Sequence, residues 1–286
     1  MHTFYLHVAT VLYGTQHCVI KALVDNHVSI ACLNFWRFLI ATFLTIVHKC
    51  AMISEYKPVK PEENFKCYLL SCLMLSCLTY TSFFLQSYGL LFTTATKSAY
   101  ILYFNVKLVV LFELILFCKC ASLRTWISTI LASVGLVIIC LDKNITSLDQ
   151  GIHFNMGDVM SFMAACCSAL FIIQMSIISK FQKNINMTNS IYLMTTTILF
   201  ATTSFEKFET SNIHNTIGIL YLGLVSYIGQ YLQTYGQEKV EASKAALIFA
   251  LDPLYNIVWA HLFLNEKISS YCAIGMTFLS VAIFAI

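Results

Sequence analysis

The sequence predicts an all-α integral membrane protein, with ten transmembrane helices forming two inverted five-helix repeats. Three observations carry this. The chain has 286 residues, of which 58% are hydrophobic and 11% charged, and its mean hydropathy is +0.75. A soluble domain carries about 25% charged residues, so this much apolar surface needs lipid as its solvent. Apolar runs near the roughly 20 residues required to cross a bilayer recur ten times. Finally, residues 86–122 fall on 233–269 without a gap at a shift of 147 positions.

The predicted spans are 4–24, 29–48, 67–91, 96–117, 123–141, 157–179, 188–204, 215–236, 243–264 and 268–286. The first has no basic leader and no small-residue cleavage site, so it reads as a membrane helix and not a cleaved signal. A polar loop, 49–66, separates the second and third spans. Residues 1–142 form the first repeat, 143–156 the inter-repeat loop and 157–286 the second repeat. Gln86, Tyr88, Gly89, Ala95, Lys97, Ala99 and Ile101 match Gln233, Tyr235, Gly236, Ala242, Lys244, Ala246 and Ile248. Each copy is the polar end of one apolar helix, a lysine-bearing turn and a second apolar helix. Five spans per half make the halves antiparallel, and duplicated halves of this kind are a hallmark of secondary transporters.

Loop charges set the orientation. With the N-terminus in the cytoplasm, the inner loops hold ten basic residues: Lys49, Lys57, Lys60, Lys66, Lys119, Arg124, Lys180, Lys183, Lys239 and Lys244. The outer loops hold four: Lys97, Lys143, Lys207 and Lys267. Both termini are then cytoplasmic, and a plasma (inner) membrane is expected. Asn144-Ile145-Thr146 is a glycosylation sequon on the outer side. The net charge of +3 comes with no basic stripe, so nucleic-acid binding has no support. The twelve cysteines include no CxxC pair and read mainly as packing residues. No metal or cofactor is expected.

Four segments resemble the drug/metabolite transporter superfamily, in its ten-helix branch with two EamA-type repeats. They are Asn34-Phe35-Trp36-Arg37-Phe38; Gln86 to Leu90 with Ala95 to Ala99; Met156-Gly157-Asp158; and Gln233 to Gln237 with Ala242 to Ala250, Asp252-Pro253 and Leu264 to Lys267. The order is that of the family along nearly the whole chain. Asp252 stands where the family often has Glu, Asn265-Glu266 where it often has Gly-Glu, and Tyr13-Gly14 where Trp-Gly is frequent. The resemblance implies alternating-access transport of a small metabolite, commonly an amino acid or a nucleoside.

Charge inside a membrane costs roughly 2.5–3.5 kcal/mol at mid-helix on insertion scales. Lys21 and Glu113 lie near helix ends and can snorkel, whereas Arg37, Lys107 and Asp252 lie deeper. Lys107 and Asp252 lie at nearly the same depth, since each residue rises 1.5 Å, and Asn105 aligns with Asp252. This predicts that Lys107 and Asp252 neutralise each other or bind a zwitterion; the plainer reading is a static pair, or Asp252 capping a helix broken at Pro253. Tyr227, Gln230, Tyr231, Thr234 and Tyr235 recur at helical spacing and predict a polar stripe. Helix four offers Tyr100, Tyr103 and Lys107. Helix three offers Ser76, Thr79, Tyr80 and Phe83. Gln16 and His17, Gln174 and Asn256 complete the substrate-site candidates. Interfacial tyrosines and helix–helix hydrogen bonds are the bland alternative for the aromatics. Asp252, Lys107 and His17 are the coupling candidates, because imidazole titrates near neutrality and burial disfavours a lone carboxylate.

The expected partners are a small-molecule substrate, protons or a counter-transported metabolite, and membrane lipid, with the chain as a monomer or homodimer. An amino acid is the first substrate expectation and a nucleoside-type metabolite such as S-adenosylmethionine the second. His153 and Asp158 have the His-x4-Asp spacing of acyltransferases, but Asp158 at a helix start reads as a cap. No convergent acid–base set assembles for an enzyme. A non-transporting scaffold would not need ionisable groups at mid-depth.

Overall fold

The computed structural model describes residues 2–51, 65–117, 123–140, 155–179, 184–202, 213–249, 251–264 and 270–284. The sequon at Asn144, His153, Asn265-Glu266, the Cys118-Lys119-Cys120 group and the loop lysines Lys57, Lys60, Lys143, Lys180, Lys183, Lys207 and Lys267 lie outside them. Twelve helices are formed by the described residues: α1 (His2–Asp25), α2 (Ile30–Ala51), α3 (Phe65–Gly89), α4 (Ala95–Leu102), α5 (Asn105–Phe117), α6 (Leu123–Cys140), α7 (Met156–Ile178), α8 (Asn184–Thr202), α9 (Ile213–Gln237), α10 (Ala242–Phe249), α11 (Asp252–Leu264) and α12 (Ser270–Phe284). Eight of the ten predicted spans are single helices within a few residues of expectation. The other two, 96–117 and 243–264, are each broken in the middle.

The breaks are equivalent. Adding 147 to the bounds of α4 and α5 gives those of α10 and α11. The backbone tightens the same way in both. Phe104 N–H bonds to the Ile101 carbonyl and Lys107 N–H to that of Phe104; Leu251 bonds to Ile248 and Leu254 to Leu251. These i→i−3 bonds give a 3₁₀-like turn in place of α geometry. Pro253, in the first turn of α11, suits the start of a helix. The α4–α5 break has no proline or glycine, so tertiary packing imposes the turn there.

Other helix ends follow local chemistry. α1 stops at His27, whose φ is 60°. Val28 N–H reaches the Leu23 carbonyl and His27 N–H that of Val24, the paired bonds of a Schellman cap. At α7, Asp158 Oδ2 accepts the Asn155 N–H at 3.0 Å, as expected of a capping carboxylate.

Packing repeats the duplication. α1 packs on α9 and α11, and α7 packs on α3 and α5. α2 packs on α9 and α8, α8 on α3, and α6 on α12. Exchanging α1–α6 for α7–α12 maps this set onto itself. Gly89 and Gly157 let α3 and α7 touch: a Cβ built on Gly157 would stand 2.6 Å from the Gly89 carbonyl oxygen.

The outer surface is rich in large apolar side chains, and several charged side chains lie buried among the apolar core. Phe4, Phe43, Leu70, Ile115, Leu262 and Phe263 are exposed, while Arg37, Lys97, Lys107 and Asp158 are buried. Among the described residues, four segments are long and apolar enough to cross a membrane: Ile30–Ala51, Tyr68–Gly89, Lys97–Phe117 across the first break, and Met156–Ile178. One outer-loop assignment is corrected here. Lys97 is not a solvated loop lysine, because its Nζ lies 2.6 Å from Asp158 Oδ2 in a buried ion pair.

Candidate functional site

Both breaks abut one cavity of about 110 Å³. That is room for several water molecules at roughly 10–15 Å³ apiece. From the first break it takes Leu102, Tyr103 and Asn105, and from the second Phe249 and Asp252. α1 contributes Tyr13, Gln16 and His17; α3 contributes Thr79, Ser82, Phe83 and Gln86; α9 contributes Gln230 and Gln233; and α7 contributes Ser168, Phe171 and Ile172.

The ionisable centre is a carboxylate beside an imidazole. Asp252 Oδ2 is 3.7 Å from His17 Nε2. The Gln86 amide nitrogen lies 3.2 Å from both His17 Nδ1 and His17 Nε2. An amide NH₂ can only donate, so the imidazole is the acceptor in this contact, through either ring nitrogen. Gly14 admits this arrangement: a Cβ there would meet Tyr255 Cβ at 2.7 Å and Asp252 Oδ1 at 3.3 Å. Below it, Tyr13 donates to Gln233 Oε1 at 2.9 Å, Gln233 to Gln237 at 3.0 Å and Gln237 to the Ile172 carbonyl at 3.1 Å.

Three polar atoms of the cavity residues lack a partner: Gln16 Nε2, Gln230 Nε2 and Asp252 Oδ1. Buried polar groups in folded proteins are nearly all hydrogen-bonded. These exceptions are gathered in one cavity, where water or a solute would complete the set. Two leftover donors and one leftover acceptor suit a small solute that carries both an acceptor and a donor group.

Of the eleven substrate-site candidates, Gln16, His17, Tyr103, Gln230 and Asp252 meet in this cavity. The expected Lys107–Asp252 pair is not formed. Lys107 Nζ donates to Ser128 Oγ at 3.2 Å, and Ser128 in turn to the Ala282 carbonyl at 2.6 Å. Lys107 lies two residues, and so about 200°, round α5 from the cavity-lining Asn105. The α9 stripe also divides. Gln230 and Gln233 line the cavity. Tyr227 and Tyr231 stand against His48 of α2, with Tyr227 Oη bonded to His48 Nδ1 and the Tyr231 ring 5.0 Å from the imidazole.

The remaining candidates lie outside the lining. Asn256 is a staple: its Oδ1 accepts from Cys18 Sγ at 3.2 Å and its Nδ2 donates to the Ala95 carbonyl at 3.3 Å. Tyr80 stacks with Phe84 at 5.6 Å. Gln174 is half-buried on α7. Tyr13, Gln86 and Gln233 were not among the candidates. The repeat itself held a signal for two of them, since Gln86 and Gln233 are its first matched pair.

The comparisons with known proteins agree with this architecture. The model of the EamA-like transporter family matches residues 2–141 and again 155–286. No curated protein matches the chain. A solved crystal structure superposes with a TM-score of 0.74 at 14% identity, over 99% of this chain and 95% of the other. At that identity the likeness speaks for the fold alone. With both halves matched in turn, the chain belongs to the EamA-like transporter family, a two-repeat member of the drug/metabolite transporter superfamily.

Proposed function

We propose that this chain is a secondary active transporter that moves a small organic metabolite across a membrane by alternating access. The observation that carries the reading is the polar cavity where two equivalent helix breaks meet. Discontinuous helices at a repeat interface are the usual framework of a transporter substrate site. Ten membrane passages, with each broken pair counted as one, would put both termini on one side of the membrane, and the excess of basic residues in the loops of that side favours the cytoplasm.

The leftover atoms favour an amino acid. Asp252 Oδ1 offers itself to an ammonium group, and the amides of Gln16 and Gln230 to a carboxylate. His17 and Asp252 are the residues for a coupled proton, while Lys107, engaged by Ser128, is not. The test is counterflow in proteoliposomes loaded with a mixture of unlabelled amino acids. Transient accumulation of labelled amino acid, lost in Asp252→Asn, is the expected result. Accumulation of a labelled nucleoside or S-adenosylmethionine instead would reassign the substrate. Equal traces from loaded and empty liposomes for every solute would sink the transport reading.

A further inference from the structure

Arg37 is the largest fully buried side chain among the described residues and is 0% exposed. Its Nε donates to Ser226 Oγ at 2.6 Å and its Nη2 to Gln16 Oε1 at 2.5 Å. The guanidinium carbon lies 4.2 Å from the Phe83 ring centroid and 5.7 Å from that of Phe38. Among the described residues it forms no ion pair with a carboxylate. Its neighbours are a hydroxyl, an amide oxygen and two aromatic faces, and its Nη1 has no hydrogen-bond partner among the described residues. Two of these neighbours, Gln16 and Phe83, also line the cavity.

A guanidinium has five donors and no acceptor. Whatever touches Nη2 must therefore be the oxygen of Gln16 and not its nitrogen. Turning the Gln16 amide over would set donor against donor. Arg37 thus fixes which end of this cavity amide is left for a ligand, and it is the NH₂ end, the one without a partner.

We propose that Arg37 is a specificity-determining positioning residue: by holding the Gln16 oxygen it presents the Gln16 NH₂ to the solute and selects a carboxylate over a neutral carboxamide. The buried positive charge behind Gln16 works in the same direction, while Asp252 supplies the opposite sign at the second break. This rests on the reading of the cavity as the substrate site.

The test compares amino acids with their C-terminal amides as competitors of labelled amino-acid counterflow, for wild type, Gln16→Glu, Arg37→Lys and Arg37→Met. Gln16→Glu keeps the Arg37 contact as an ion pair, so its melting temperature should equal or exceed that of wild type. Its KM for amino acids should rise at least tenfold, and its preference should shift to the amides. Arg37→Lys should recover part of the acid preference and Arg37→Met none. A well-folded Gln16→Glu that still prefers acids as wild type does would overturn the proposal and leave the transport function intact. Wild-type protein that accumulates no amino acid would remove the amino-acid reading of the cavity, and this proposal with it, while counterflow of another solute would keep the transport function. Because Gln16→Glu retains the buried contact, the test stands even where Arg37→Met does not fold.

Discussion

The two helix breaks share one backbone and differ in their chemistry. At the first, Asn105 Nδ2 donates to Ser168 Oγ at 3.1 Å. α7 and α8 follow α1 and α2 at a shift of about 154, judged from the starts of α1, α2, α7 and α8. At that shift Ser168 corresponds to Gly14 and Phe171 to His17, while Asn105 corresponds to Asp252 at the shift of 147 that relates the two breaks. The α5–α7 contact is therefore neutral and satisfied. The α1–α11 contact has a carboxylate, an imidazole and a glycine in the same places. With no side chain on Gly14, Asp252 Oδ1 has nothing to bond to. Duplication supplied two similar turns; reactivity is concentrated in one.

The lysines that open the broken helices differ just as sharply. Lys97 is buried against Asp158, which also takes bonds from Thr93 Oγ1 at 3.3 Å and the Asn155 N–H. Lys244, its repeat equivalent, is exposed and has no ion pair among the described residues. The position on α1 that corresponds to Asp158 is Phe4. One end of the molecule is clamped by charge and its counterpart is not.

The largest expected effect comes from making the two breaks alike. Asp252→Asn should reduce amino-acid uptake by about tenfold to a hundredfold, the equivalent of a charged hydrogen bond worth roughly 1.5–3 kcal/mol. Asn105→Ala should leave uptake within about threefold of wild type, since an ordinary hydrogen bond contributes only about 0.5–1.5 kcal/mol. If both variants lose uptake equally, the functional asymmetry between the breaks is wrong. The lysines come next. Lys97→Met strands a buried carboxylate and should destabilise the detergent-solubilised protein by about 3–5 kcal/mol, with Asp158→Asn in the same chain restoring much of it. Lys244→Met should stay within about 0.5 kcal/mol. Equal melting temperatures for the two single variants would contradict the clamp.

Smaller effects sharpen the picture. Gly14→Ala forces a Cβ against Tyr255 and should cost about 1–3 kcal/mol by overpacking, whereas Ser168→Ala should cost about 1 kcal/mol for one lost hydrogen bond. Thermal unfolding reads both. Tyr231→Phe, outside the cavity, should change amino-acid KM by less than about twofold; a tenfold rise would move the site toward the His48 cluster.

Apolar run length made the helices legible in the sequence, because lipid demands continuous apolar segments. The break at Pro253 also had a local cue. The break at Tyr103-Phe104 had none, because neighbouring helices enforce it. Among the candidates, Asp252 was named from its depth and Gln16 and His17 from their adjacency on α1, and all three line the cavity. What failed was azimuth. Gln230 and Tyr231 are sequence neighbours about 100° apart on α9, and only packing decides which one meets the cavity. Arg37 was recognised as buried, but its partners come from α1 and α9, which no spacing on α2 could reveal.

The surroundings of Arg37 bear on how the chain is made. One partner, Gln16, precedes it by 21 residues; the other, Ser226, follows it by 189. In a ribosome's order of events, α2 exists long before α9. Through most of translation the guanidinium has α1 but not Ser226 to shelter it, against an insertion cost of roughly 2.5–3.5 kcal/mol. Until α9 is made, Gln16 is the side-chain oxygen already available to the guanidinium, and the bond to Ser226 is added only when the second repeat arrives.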